Sequence, residues 1–136
     1  MAIPTGPEII LFRLQRLNGQ LLATADQLTE KEASTWPAST APSCKWHLWH
    51  MGRWADYVQA LLPPVGLEEN CEIWESEKFR EKWGFTGIDL GMWGAGSGLG
   101  NENGRALPLP NLTEVRTYAK KVFDLLEIRV GKFDEP

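Results

Sequence analysis

The fold is decided by Ser43-Cys44-Lys45-Trp46-His47-Leu48-Trp49-His50-Met51-Gly52-Arg53-Trp54. This stretch contains both histidines of the chain, one of its two cysteines and three of its seven tryptophans. Pro42 and Ser43 form a helix start signal, because the serine hydroxyl can accept a hydrogen bond from an unpaired backbone N–H of the first turn. The helix that begins here is predicted to continue to about Leu62, where two prolines end it.

The predicted inner face of this helix is apolar apart from its two imidazoles. At about 100° per residue, one side of the helix carries His47, His50, Met51, Trp54, Val58 and Leu61. The opposite side carries Lys45, Trp49, Arg53, Asp56 and Gln59. We therefore expect the first set to turn inward, with both histidines on or at the edge of the buried face.

Two more long helices are predicted on either side of this one. The first begins at Pro7 and Glu8 and continues to about Leu28, with apolar residues at helical spacing. The last begins near Asn111 and ends near Gly131. No segment alternates apolar and polar residues with a period of two, so the chain is predicted to be all-α, as a single domain over residues 1–136.

Shorter segments connect the long helices. Thr29 and Glu32 fit a capping box, which predicts one short turn of helix before a Trp-Pro pair. Residues 68–83 predict one short, polar surface helix, and residues 84–110 predict a long glycine-rich connection. This connection lacks the spacing and the context of a phosphate-binding loop, so we expect it to be a flexible linker.

The composition argues against several classes of protein. The net charge is −4 and the basic residues are scattered, whereas a protein that tracks phosphates needs a concentrated positive patch, so nucleic-acid binding is not predicted. No apolar run reaches the roughly 18–20 residues that span a bilayer, and no membrane partner is predicted. The N-terminus has no signal core and two cysteines are too few for a disulfide framework, which predicts a cytoplasmic location.

His47 and His50 are the candidate metal ligands. They lie one helical turn apart and could share a ligand, but a metal needs at least three protein donors. In the alternative interpretation both histidines are structural and bond a backbone carbonyl or a tyrosine hydroxyl. Cys44 stands at the helix N-terminus, where a thiol pKa can be lowered, but we expect it to be a small buried residue.

The tryptophans suggest a cavity beside the histidines. Trp46, Trp49 and Trp54 lie on different sides of one helix, so at least one ring must be covered by a loop, a ligand pocket or another chain. Burial of all these rings in the core is the alternative. The candidate substrate-binding residues are Trp46, Trp54, Trp74 and Trp93.

Several of these motifs resemble the DinB/YfiT-like superfamily. The resemblance rests on residues 28–32 (Leu-Thr-Glu-Lys-Glu), residues 36–38 (Trp-Pro-Ala) and above all residues 47–50 (His-Leu-Trp-His), and it covers the chain from about residue 8 to residue 130. It implies a four-helix bundle with a long crossover connection and a divalent metal, often nickel or zinc, held by three histidines. His50 matches the ligand from the second helix, and His47 is an additional histidine one turn earlier.

The sequence departs from this family pattern at its C-terminal end. It ends at Pro136, so the fourth helix and its H-x-x-x-H pair have no counterpart, and we expect three long helices and one short one. A bundle without its fourth helix would leave an apolar stripe exposed, which a homodimer would cover. Such a dimer would also bring His47 and His50 of two chains together.

Three functions follow from these expectations. The first is a protein that binds a small molecule in a tryptophan-lined cavity beside His47 and His50, with an incomplete metal centre. The second is a metal-dependent transferase or hydrolase whose histidine site is assembled across a homodimer, as the family resemblance implies. The third is an interaction subunit that borrows a helix from another protein.

Overall fold

A computed structural model describes residues 2–63 and 70–133. These residues form the helices α1 (Gly6–Asp26), α2 (Glu30–Ser34), α3 (Cys44–Leu61), α4 (Ile73–Ser76), α5 (Phe79–Lys82), α6 (Asn101–Arg105) and α7 (Leu112–Gly131). Two isolated bridges occur, but the described residues contain no strand. The prediction of an all-α fold is therefore confirmed for this part of the chain.

Two of the three long helices, α3 and α7, begin at the predicted residues, whereas α1 begins after Thr5, for which no capping role was predicted. The hydroxyl of Ser43 accepts a hydrogen bond from a backbone N–H of the first turn of α3, at 3.1 Å between oxygen and nitrogen. Asn111 caps α7 in the same way. Thr29 and Glu32 form the predicted capping box of α2. These short-range signals are reliable because each one satisfies a backbone group that the helix itself leaves unpaired.

Helix α7 is the central helix of the bundle. It packs against both α3 and α1, whereas α1 and α3 hardly touch each other. It approaches α3 closely at Gly52, where a Cβ would lie 3.1 Å from the ring of Tyr118 and 3.5 Å from the Cα of Ala119. Helices α1 and α3 therefore form two walls above a floor made by α7, and a trough lies open between them.

The inward face of α3 is the opposite of the predicted one. Its buried residues are Lys45, Leu48, Trp49, Gly52, Arg53, Asp56 and Gln59. On the predicted inner face, His47, Met51, Val58 and Leu61 are exposed, and Trp54 and His50 are only half-buried. The prediction was wrong because periodicity finds an apolar stripe but does not show whether another element covers it.

Asp56 explains how a polar face can be buried. Its carboxylate has no exposed surface and accepts hydrogen bonds from the backbone N–H groups of Ile73 and Trp74, each at 2.8 Å. The hydroxyl of Tyr118 and the amide of Gln59 also donate to it, at 2.8 and 2.9 Å. Since the two backbone groups belong to the first turn of α4, Asp56 supplies the N-terminal cap of that helix from α3 and fixes the segment after α3 on the core.

Arg53 neutralises this buried carboxylate. Its Nη1 lies 3.4 Å from Oδ2 of Asp56, its Nη2 lies 3.0 Å from Oε1 of Glu72, and its Nε donates to the carbonyl of Gly94 at 2.8 Å. The guanidinium also stacks over the ring of Trp74, with 4.8 Å between Cζ and the ring centroid. Burial raises the pKa of Glu72, an effect that the positive charge of Arg53 opposes. Each of these three charges therefore has a partner, as a low-dielectric interior requires.

The polar segment after α3 differs from its prediction. Instead of one helix over residues 68–83, the chain forms α4 and α5, two helices of four residues each. They are separated by Lys78, whose φ of 58° lies in the left-handed region and interrupts the helical geometry. Residues 68 and 69 lie outside the described part of the chain.

The glycine-rich connection packs onto α3, so the expectation of a flexible linker was wrong. Phe85 and Ala95 have no exposed surface, and Leu90 is almost completely buried. At Gly96 a Cβ would lie only 2.8 Å from the ring of Trp49. Glycine is needed at this position because the backbone of the connection touches the core there. The connection also contains α6, for which no helix signal was recognised.

Replacing the central carboxylate tests this account of the fold. We expect Asp56→Ala to lower the free energy of unfolding by about 3–5 kcal/mol, because it leaves the charge of Arg53 buried without its partner. The matched control is Asp124→Ala, which removes a half-exposed pair with Lys120 and should change stability by no more than about 0.5 kcal/mol. Urea unfolding monitored by circular dichroism measures both values. Equal losses in the two variants would contradict the role of Asp56.

Candidate functional site

Two of the four predicted binding tryptophans contact His50, and a third packs against one of these two. The ring of Trp46 stacks on the imidazole of His50, with 4.7 Å between centroids and 17° between planes. Trp54 approaches the same imidazole edge-on at 6.5 Å. Trp93 packs against Trp54 at 5.2 Å and against Tyr57 at 6.0 Å. We call these five residues the outer aromatic cluster.

Trp74, the fourth predicted binding residue, lies elsewhere. It has no exposed surface and stands on the buried side of α3, where its ring contacts the guanidinium of Arg53. It belongs to an inner group of rings with Trp49, Phe79, Trp83, Phe85 and Tyr118. The structure therefore does not bring Trp74 to the histidines but places it in the core.

Trp93 has an unusual backbone conformation. Its φ is 51°, in the left-handed region that bulky side chains rarely adopt, and 53% of the residue is exposed. The ring nevertheless covers Trp54 and Tyr57 from outside. Holding this aromatic ring against the exposed side of α3 therefore costs conformational energy in the backbone of the connection.

His50 is oriented by the glycine-rich connection. Its Nδ1 forms a hydrogen bond with the backbone oxygen of Ala95. Because a carbonyl oxygen can only accept, Nδ1 is the donor in this bond. This arrangement fits the structural role that the sequence allowed for His50. It also fits a ligand role, since metal-binding histidines commonly donate their other N–H to a backbone carbonyl.

His47 faces a different space, at the end of the trough beside the start of α3. There a cavity of about 260 Å³ lies between α1 and α3. Its lining consists of Leu17, Gln20, Leu21, Thr24, Ala25, Leu28, Cys44, His47, Leu48 and Leu112. We call it the leucine cavity, because leucines rather than tryptophans form its walls. The predicted site residues are thus divided between this cavity, the outer aromatic cluster and the core.

The polar groups of the leucine cavity come from both walls. Partial burial lowers the pKa of His47, and the positive charge of a protonated His50 lowers it further, so the neutral imidazole is favoured near pH 7. Cys44 is a free, exposed thiol, contrary to the expectation that it would be buried. The hydroxyl of Thr24 donates to a carbonyl of its own helix at 2.8 Å and keeps its lone pairs as acceptors.

A second, larger space continues the trough towards the other end of α1. This apolar groove has a volume of about 600 Å³. Its lining consists of Gly6, Pro7, Ile10, Leu14, Leu17, Asn18, Met51, Trp54, Ala55, Val58, Leu62, Phe123, Leu126, Val130 and Phe133. Because Leu17 lines both spaces, the groove and the leucine cavity adjoin along α1.

Within the described part of the chain, the candidate donors are not arranged as a metal centre. Across residues 2–63 and 70–133, no group of three or more His, Cys, Asp and Glu side chains is placed to hold an ion. His50 bonds to Ala95, and His47 lines the leucine cavity. Nickel or zinc ligation by His47 and His50 stays a prediction of the family resemblance.

Comparisons with known proteins add no assignment. No model of a protein family matches the sequence, and no curated protein matches it. The resemblance to the DinB/YfiT-like superfamily therefore rests on its motifs alone and stays a prediction. Among the described helices, none is both long enough and apolar enough to cross a membrane.

Two glycines of the connection provide a matched test of its packing. Both have a left-handed φ, 90° at Gly96 and 80° at Gly98, but only at Gly96 would an added Cβ have neighbours within 4 Å. We expect Gly98→Ala to cost about 1–2 kcal/mol through backbone strain, and Gly96→Ala to cost about 1–3 kcal/mol more through overlap with Trp49. Urea unfolding gives the difference, and equal costs would show that the connection does not press on Trp49.

The pKa shift of His47 predicts a pH dependence of stability. The unfolded chain binds this proton with a pKa near 6.5, whereas the folded chain has a lower pKa, so the unfolded state holds more protons between the two values. The free energy of unfolding should therefore fall as the pH drops through 6.5, and His47→Gln should reduce this dependence. Unfolding in urea at pH 7.5 and 5.0 compares the two proteins. An NMR titration that places the pKa of His47 at or above 6.5 would contradict the prediction.

Proposed function

We propose that this chain binds a small, mainly apolar molecule with one hydrogen-bonding group in the leucine cavity. The observation that supports the proposal is the lining of this cavity, in which His47, Thr24 and Gln20 interrupt walls of leucine. Apolar walls with a few polar groups are the usual composition of small-molecule sites. The apolar walls supply affinity through burial, and the polar groups orient the ligand.

The volume of the cavity limits the size of its ligand. About 260 Å³ exceeds the roughly 150 Å³ of an engineered apolar cavity that takes benzene. One ring with short substituents, or an aliphatic molecule of the same volume, fits this space. We therefore propose a ligand of this size rather than a nucleotide or a peptide.

His47 determines which polar group we expect the ligand to carry. A neutral imidazole offers one acceptor and one donor, so it can accept a hydrogen bond from a hydroxyl group. The lining as described contains no Lys or Arg, so a carboxylate would be buried there without a positively charged partner. The proposed ligand is therefore a neutral alcohol or phenol.

The outer aromatic cluster helps to position the imidazole of His47 through Trp46. Trp46 contacts the ring of His47 edge-on, with 5.4 Å between centroids, and stacks on His50. It therefore limits the orientations that His47 can adopt. In this proposal the tryptophans position the imidazole that binds the ligand instead of lining the cavity.

The binding proposal can be tested with p-cresol and toluene, which differ by one hydroxyl group. We expect p-cresol to shift the NMR signals of His47 and to bind roughly five- to tenfold more tightly than toluene, the gain of about one hydrogen bond. Thr24→Trp should block the cavity from its exposed rim. Ala23→Trp is the control, because Ala23 is exposed on the same helix and lines neither space.

Two results would contradict the binding proposal. One is the absence of any shift at His47 with both probes at millimolar concentration. The other is equal binding by the Thr24→Trp and Ala23→Trp proteins, which would place the probe outside the leucine cavity. In either case the imidazole of His47 would have no role in ligand binding.

Self-association is the second part of the proposal. The apolar groove exposes Ile10, Leu17 and Val58 by 53%, 49% and 40%, and such a surface is more extensive than isolated apolar residues on a monomer. We propose a homodimer, because a two-fold pair covers the same surface on both chains. Sedimentation equilibrium of the purified chain tests this part independently of the ligand.

A further inference from the structure

We propose that the apolar groove is closed by the N-terminal half of α1 of a second copy, so that each chain covers the groove of the other. This inference rests on the proposed self-association, and it names the surface and the helix that make the contact. It concerns the groove only and is independent of the ligand in the leucine cavity.

The groove is suited to an apolar helix. Asn18 is the only polar side chain in its lining as described, and the remaining residues come from three helices whose apolar sides converge. Its walls are the helices α1 and α3, which have 21 and 18 residues. On α1 the lining of the groove extends only from Gly6 to Asn18, which is on the order of 20 Å at about 1.5 Å per residue, so the groove accommodates the N-terminal half of one such helix.

The exposed area is close to what a stable dimer needs. The exposed apolar side chains on α1, α3 and the end of α7 are between 36% and 66% exposed: Ile10, Leu17, Met51, Val58 and Phe133 line the groove, and Ile9, Phe12 and Leu61 lie outside its lining. At roughly 150 Å² for a large side chain, they expose on the order of 600 Å². A standard interface buries about 800 Å² per partner, so these side chains would supply the larger part of that area.

Helix α1 carries apolar side chains that its own chain leaves exposed. Residues 9–12 read Ile-Ile-Leu-Phe, so its first turns are apolar on all sides, a pattern that is typical of a helix covered all round. Its own chain covers only part of it: Leu11 packs near Gly131, but Ile9 and Phe12 remain 43% and 62% exposed. A second chain is needed to cover the rest.

Two-fold symmetry lets one surface serve both chains. Since α1 forms one wall of the groove, a two-fold axis beside it places each α1 in the groove of the other chain at the same time. The middle of α1 has two charged residues, Arg13 and Arg16, both exposed. Their aliphatic stems can lie along the apolar rim while the guanidinium groups stay in water.

The test introduces a charge into the groove and, as a control, outside it. Sedimentation equilibrium over about 1–300 μM measures dimerisation of the wild type, Ile10→Glu, Val58→Glu and Ile128→Glu. Ile128 is 52% exposed, similar to Ile10, but it does not line the groove. We expect a dimer for the wild type and Ile128→Glu, and a dissociation constant at least about 100-fold higher for the two groove variants, because each would bury an unpaired carboxylate.

Milder variants keep the test valid if a glutamate disturbs the fold. Ile10→Ser and Val58→Thr change exposed side chains without adding charge, and circular dichroism checks their helix content. Both should weaken the dimer while the melting temperature at low protein concentration stays within a few degrees of the wild type.

Each contrary result has a distinct meaning. A wild-type chain that stays monomeric at 300 μM overturns both the self-association and this inference. A dimer that survives the groove variants but dissociates with Ile128→Glu retains self-association and overturns the role of the groove. Binding of p-cresol by a monomeric groove variant leaves the ligand proposal intact, because Ile10 and Val58 do not line the leucine cavity.

Discussion

The buried carboxylate of Asp56 is the constraint on which the rest of the structure depends. It accepts two backbone hydrogen bonds from α4, one from Tyr118 on α7 and one from Gln59 on its own helix. A charge in this position must be balanced, and Arg53 supplies the balance while it also holds the carbonyl of Gly94. One polar centre thus fixes α3, α4, α7 and the connection relative to one another.

This polar centre determines where the binding surfaces lie. Because α3 turns Arg53, Asp56 and Gln59 inward, its apolar residues face outward, into the trough beside α1. The trough and the outer aromatic cluster are therefore consequences of the same rotation of one helix. A helix with its apolar stripe buried would have given a closed core with neither a groove nor a half-buried His50.

Local signals made much of the fold predictable, but not its tertiary partners. Ser43, Asn111 and the capping box of Thr29 gave the helix starts, because each cap satisfies a neighbouring backbone group. The inward face of α3 could not be predicted in the same way, since the partners of Asp56 lie 17, 18 and 62 residues away. At the site, Trp46, Trp54 and Trp93 belong to one aromatic cluster, but their role in binding stays a prediction. No signal in the sequence indicated that leucines of α1 would line the cavity beside His47.

The left-handed backbone of Trp93 has a consequence for how this surface can change. Glycine or asparagine would fit the same φ more easily. Replacing Trp93 by either residue would therefore relieve backbone strain while it removes the ring. The contacts of the indole with Trp54 and Tyr57 must therefore outweigh a conformational preference on the order of 1–2 kcal/mol for the ring to stay in place. Loss of this one ring would remove the cover over Trp54 and Tyr57, while the buried core would keep its contacts.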